Sequence, residues 1–131
     1  MKAARKLFGE RGFAATSVDD IAAASRVAKG AIYHYFKTKT ELFEAVFEQA
    51  SADLVVEIDG AVRSEKDTLA MLSAGTQLYF EKCARGPTGQ IILSDGPAVL
   101  GWQRWVRYGN DVLLVDVRSG RVLEVNNRFF F

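Results

Sequence analysis

The stretch TSVDDIAAASRVAKGAIYHYFKTKTELF, Thr16 to Phe43, decides the fold. Ser17 stands before an alanine-rich run, with Asp19 and Asp20 just inside it. A hydroxyl at the N-cap and carboxylates near the positive end of a helix are the signs of a start. They predict a short helix from Val18 to about Ser25. Arg26-Val27-Ala28 is a tight break, and a second short helix follows from Lys29 to Phe36. Thr38-x-x-Glu41 is a capping box that opens a third, much longer helix. Two short helices across a tight turn, with a helix on either side, make a helix-turn-helix unit.

Before it, Met1 to Arg11 reads as a helix with Ala3, Ala4, Leu7 and Phe8 on one face. Gly12 stops that helix, and Phe13 folds back onto the same face. After it, Leu42, Phe43, Val46, Phe47, Ala50, Leu54 and Ile58 recur in steps of one, three and four, as a buried helix face requires. That helix ends near Val62. Another is expected from about Lys66 to Ala84, with Leu69, Leu72, Thr76, Tyr79, Phe80 and Cys83 inward. Gly86-Pro87-Thr88-Gly89 reads as a turn. A further apolar helix is expected over Gln90 to Trp105, irregular at Asp95-Gly96-Pro97 because Pro97 has no N–H to donate. At about Val106 the character changes. Val112 to Val117, the turn Arg118-Ser119-Gly120-Arg121, and Val122 to Val125 read as a β-hairpin. The expected fold is therefore all-α with a short C-terminal β-hairpin. Residues 1–47 form a three-helix helix-turn-helix domain, 48–105 a partial helical ligand-binding and dimerisation domain, and 106–131 an atypical tail.

Counting narrows the chemistry. The chain has 131 residues, one Cys and one His. An intrachain disulfide, a cysteine metal cluster and a two-His metal site are thus excluded, and no metal or cofactor is expected. No nucleophile–base pair or phosphate loop appears, so an enzyme is not expected. The start lacks an apolar run followed by a small-residue cleavage site, and no apolar run approaches the ~20 residues of a membrane span. A soluble cytoplasmic protein is expected, with Cys83 as a small buried apolar residue. The formal net charge is +1. Residues 1–47, however, hold eight basic side chains against five acidic ones, and Arg26 to Thr40 holds four basic and no acidic. Such a segment is either a solvated basic face or a phosphate-binding surface.

The second short helix suits DNA. Lys29 brings charge to its start. Gly30 and Ala31 are small enough for the backbone to approach base edges and touch a thymine methyl. Tyr33 and His34 offer polar tips to phosphate. Lys37 and Lys39 lie at the N-terminus of the next helix, where charge and helix amides together favour a phosphate. Ile32 and Phe36, four apart, point into the core, and Tyr35 is expected there too. Trp102 and Trp105 are expected in the core or lining a ligand pocket.

The ordered run from Phe8 to Phe47, with RGF, TSVDDIA and VAKGAIYHYFKTKTELF in sequence, closely resembles the DNA-binding domain of the TetR/AcrR transcriptional regulators. QIILSDGPAVLGWQRW, 90–105, is similar to part of the regulatory domain of one subgroup, so the resemblance covers about residues 1–105. It implies a repressor that binds double-stranded operator DNA as a dimer and releases it on binding a small ligand; the mostly apolar helices 45–62, 67–84 and 90–105 favour a hydrophobic one. Carried onto this chain, Ser17 would cap and touch phosphate, and Lys29, Gly30 and Ala31 would approach the bases. Tyr33 and His34 would meet phosphate or base, and Lys39 would clamp the backbone. Arg26 stands where that family often has Gly. The usual dimer helices do not follow Trp105, which puts dimerisation and ligand sensing in question. RYGNDVLLVDVRSGRVLEV, 107–125, faintly resembles the end of a secreted metal-homeostasis family of the nickel/cobalt type. A competing expectation is an interaction protein that pairs with a full-length relative and does not regulate by itself.

Overall fold

The computed structural model describes residues 1–63, 65–84, 86–101, 103–108, 111–116 and 121–126. They fall into two compact units, Met1–Val99 and Leu100–Phe131.

The first unit opens with α1 (Lys2–Arg11), α2 (Val18–Ser25), α3 (Lys29–Tyr35) and α4 (Lys39–Val62). Its core holds the apolar stripe of α4 (Leu42, Phe43, Val46, Ala50 and Leu54), with Ala4, Leu7 and Phe8 of α1 and Val18, Ile21 and Ala22 of α2, all buried. Phe8 and Phe43 meet edge to face at 5.2 Å. Phe13 returns over both, stacked on Phe8 at 5.9 Å and edge-on to Phe43 at 5.2 Å. Gly12 makes that return with a φ of 79°. Thr16, fully buried, donates its hydroxyl to the Gly12 carbonyl at 2.8 Å and approaches that of Leu7 at 3.2 Å. A buried hydroxyl without partners would be costly, so these bonds fix the loop between α1 and α2.

Helix α5 (Thr68–Ala84) returns along α4. The two approach closely at Gly75, where a Cβ would stand 3.2 Å from Val62 and 3.5 Å from Ile58. The expected inward stripe of α5 is corrected. Cys83 is buried and Tyr79 partly covered, but Leu69 is 77% exposed, Leu72 68% and Phe80 62%. Periodicity locates an apolar face on a helix; it does not supply a neighbour to cover it. Burial raises the Cys83 thiol pKa, which keeps it protonated and unreactive.

The expected turn at 86–89 is a single helical turn, α6 (Pro87–Gly89), that runs straight on. A π-helical segment, Gln90–Asp95, follows, and then α7 (Gly96–Leu100). The irregularity expected near Pro97 takes this widened form. The Gly96 N–H donates to the Ile91 carbonyl, five residues back, just before the proline that cannot donate at all. A Cβ on Gly9 would come within 2.7 Å of the Pro87 Cα, so α1 and α6 touch backbone to backbone.

In the second unit, the helix expected to reach Trp105 is corrected. Helical winding ends at Leu100, Gly101 takes a φ of 78°, and β1 begins at Gln103. The hairpin is one part of a three-stranded antiparallel sheet of β1 (Gln103–Tyr108), β2 (Asp111–Asp116) and β3 (Arg121–Asn126), in that order. Trp105 pairs with Leu114 in the ladder, and a bulge interrupts the β2–β3 register between Leu114 and Val115. Trp105, Val106 and Tyr108 are aromatic or β-branched, residue types that favour a strand. Trp102, residues 118–120 of the expected turn and the terminal Phe129-Phe130-Phe131 lie outside the described residues, as does the side chain of Trp105; Arg121, expected in that turn, opens β3. Among the described residues no helix is long and apolar enough to cross a membrane.

Candidate nucleic-acid interface

Two caps and one strained residue position the pair α2–α3. The Ser17 hydroxyl accepts from the Asp20 N–H at 3.0 Å, and the Asp20 carboxylate accepts from the Ser17 N–H at 2.9 Å. Both halves of a capping box are therefore present. The same Ser17 hydroxyl donates to Asp20 at 2.6 Å, and these bonds hold the Asp20 pKa below its ordinary value. Helix α2 ends on Arg26, which is left-handed (φ 56°, ψ 38°) and donates its N–H back to the carbonyls of Ala22 and Ala23. It is the one non-glycine residue with positive φ among those described. A left-handed L-residue costs about 1 kcal/mol, and here it sets the turn between the two helices.

Helix α3 has no fully buried residue. Ile32 and Phe36 are half-buried and seat it on the frame, as their spacing predicted. Lys29, Gly30, Ala31, Tyr33 and His34 are all exposed. Tyr35 was expected in the core and is instead 78% exposed, its ring edge-on to His34 at 5.2 Å. Helical spacing places Tyr35 beside Ile32 and Phe36, but among the described residues no neighbouring helix covers its ring.

The cations of this face are not equally placed. The Lys29 ammonium donates to Asp19 at 2.8 Å, a partner that raises its pKa. Lys37 is exposed, and its backbone N–H donates to the Glu41 carboxylate at 2.8 Å while the Thr38 hydroxyl accepts from the Glu41 N–H. The first turn of α4 is thus capped from both sides, with the acidic arm reaching one residue earlier than the usual capping box. The Lys39 ammonium donates to the carbonyls of Phe13 at 2.9 Å and Thr16 at 3.1 Å, and lies 4.1 Å from the centre of the Phe13 ring. Lys39 therefore ties α4 to the α1–α2 loop, a role with no local sequence signal, since its partners lie 23 and 26 positions away.

Away from this face, α4 and α5 form an open apolar groove of about 350 Å³ lined by Ile58, Val62, Met71, Leu72 and Tyr79 among others. Among the described residues no group of three or more His, Cys, Asp or Glu could hold a metal ion.

Two capped short helices joined by a left-handed turn, the second presenting an exposed face of small, basic and polar side chains, define a helix-turn-helix module. Residues 1–46 match the family model for bacterial regulatory proteins of the tetR family, and this N-terminal module belongs to that family. Residues 101–124 match a second model, that of a nickel/cobalt transporter regulator. The TetC protein of transposon Tn10 from Escherichia coli is 30% identical over 105 residues, 78% of this chain and 51% of that protein. An HTH-type transcriptional repressor from Mycobacterium tuberculosis is 46% identical over 54 residues, 41% of this chain and 29% of the repressor. The crystal structure of a TetR-family transcriptional regulator from Pectobacterium atrosepticum superposes with a TM-score of 0.69 at 35% identity, covering 76% of this chain and 52% of that one. This chain spans about half the length, or less, of the relatives it matches.

Proposed function

We propose that the chain is a cytoplasmic DNA-binding transcriptional regulator of the repressor type, which reads operator DNA by laying α3 in the major groove. The observation that carries this reading is the exposed face of α3, held by a capped α2 and the left-handed Arg26. Lys29, Gly30 and Ala31 lie at the helix start, where side chains of a recognition helix meet base edges. Tyr33 and His34 stand along the same helix for phosphate or base contacts. Ser17, at the start of α2, and Lys37 and Lys39, at the start of α4, flank it as phosphate partners. Lys39 would use the N–H left over from its two carbonyl bonds. The reading extends to a homodimer on two half-sites about one helical turn apart, and to a hydrophobic effector in the groove between α4 and α5.

The test is fluorescence anisotropy of the purified chain with a palindromic duplex taken from beside its own gene, across a salt series. Binding should weaken steeply with salt, and Lys37→Ala should weaken binding to every duplex and flatten the log–log slope by about 0.9, the share of one phosphate contact. Absence of salt-dependent binding at low ionic strength would sink the reading.

A further inference from the structure

We propose a second small-molecule site, inside the helix-turn-helix module itself, for a neutral apolar ligand the size of one substituted aromatic ring. A cleft of about 230 Å³, open to solvent on one side, lies against α3. Ile32 and Tyr35 of α3, with Phe36 just after it, form one wall, and Met1, Ile21 of α2 and Leu42 of α4 stand around it. A dry apolar cavity of about 150 Å³ is already enough to hold benzene, so this one has room for a ring with a substituent.

The lining also settles the chemistry of the ligand. No Lys, Arg, His, Asp or Glu side chain borders the cleft. The one aliphatic hydroxyl there, Ser25, already donates to the Ile21 carbonyl at 2.6 Å. The lining is almost wholly apolar, so a strongly polar molecule would lose its water without replacement. A neutral ring loses nothing and covers apolar surface that is now in contact with water, on Tyr35 and on Val27 at the mouth. The site is separate from the α4–α5 groove, with which it shares no lining residue. It lies against a helix that has no fully buried residue of its own, so an occupant would bridge α3 to its frame.

Toluene is the probe, titrated into the full chain without DNA, so the result is independent of any DNA-binding activity. Methyl resonances of Ile21, Ile32 and Leu42 should shift saturably, toluene should show NOEs to them, and amide exchange across Ile32–Phe36 should slow several-fold at saturation. Val27→Phe, which fills the mouth, should weaken binding at least tenfold, while Ile58→Phe in the α4–α5 groove should leave it unchanged. Shifts confined to Ile58, Val62 and Met71, or affinity indifferent to Val27→Phe in a folded variant, would overturn the proposal. Should Val27→Phe not fold, the NOEs decide in the unsubstituted chain: contacts to Ile32 and Leu42 support the site, and their absence overturns it.

Discussion

The carboxylate of Asp95, in the π-helical segment, accepts a hydrogen bond of 2.7 Å from the backbone N–H of Phe13, in the loop between α1 and α2. The two residues are 82 positions apart, so this bond ties the far end of the first unit to the loop that leads into the helix-turn-helix pair. Gly12 leaves room for it; a Cβ there would stand 3.4 Å from the same carboxylate oxygen.

Asp95→Ala leaves the half-buried Phe13 N–H without its acceptor and should cost about 1–2 kcal/mol of stability. Asp95→Asn keeps an acceptor in place and should cost less than half as much. Urea denaturation followed by circular dichroism measures both. Equal midpoints for Asp95→Ala and the unsubstituted chain would mean that water replaces the carboxylate without loss.

Arg26→Gly should stabilise the chain by about 0.5–1 kcal/mol. The left-handed conformation penalises a side chain, and glycine adopts it freely. The gain is less than the full steric penalty because glycine also adds entropy to the unfolded chain. Thermal denaturation reads the difference, and a fall in Tm would show that the Arg26 side chain makes contacts worth more than the strain.

The features of this module that the sequence announces are those whose causes are local. Ser17 and Asp20 lie three apart, as do Thr38 and Glu41, and each pair forms its cap where the spacing places it. The break at Arg26 is equally local. Contacts that depend on the folded chain were not legible. Nothing near Lys39 announces the carbonyls of Phe13 and Thr16, and nothing near Asp95 announces Phe13. Tyr35, Leu69, Leu72 and Phe80 show the complementary failure. Each is apolar or aromatic on a helix, and each is exposed, because burial requires an opposing surface that helical spacing does not reveal. Trp105 failed for another reason: an apolar run of mixed periodicity does not tell a helix from a strand until Gly101 ends the winding.

The Ser17–Asp20 cap should be sensitive to acid. The Asp20 carboxylate accepts two bonds from Ser17 in the folded chain, which lowers its pKa there relative to the unfolded chain. A depressed carboxylate contributes stability above the unfolded pKa and loses it as pH falls through the folded one. The Tm difference between the unsubstituted chain and Asp20→Ala should therefore be constant near neutral pH and shrink as pH drops below the ordinary aspartate range. A difference that grew with acid would contradict the assignment of Asp20 as the anionic half of the capping box.

Asp19 restrains the cation that opens α3. Its carboxylate holds the Lys29 ammonium at 2.8 Å, with both side chains largely open to solvent. In the proposed complex Lys29 has to leave Asp19 to meet DNA, and Asp19 itself repels the phosphates nearby. Asp19→Asn removes both obstacles. It should raise affinity for every duplex, specific or not, and steepen the dependence on salt by up to about 0.9 in the log–log slope, one further counterion released. Because Asn at this position still favours the first turn of a helix poorly compared with Asp, α2 loses a little of its charge–dipole stabilisation. A modest drop in Tm together with tighter, more salt-sensitive binding is thus the expected pair of results. Unchanged affinity in Asp19→Asn, alongside weakened binding in Lys29→Ala, would mean that Lys29 works while still paired. Unchanged affinity in both would remove Lys29 from the interface.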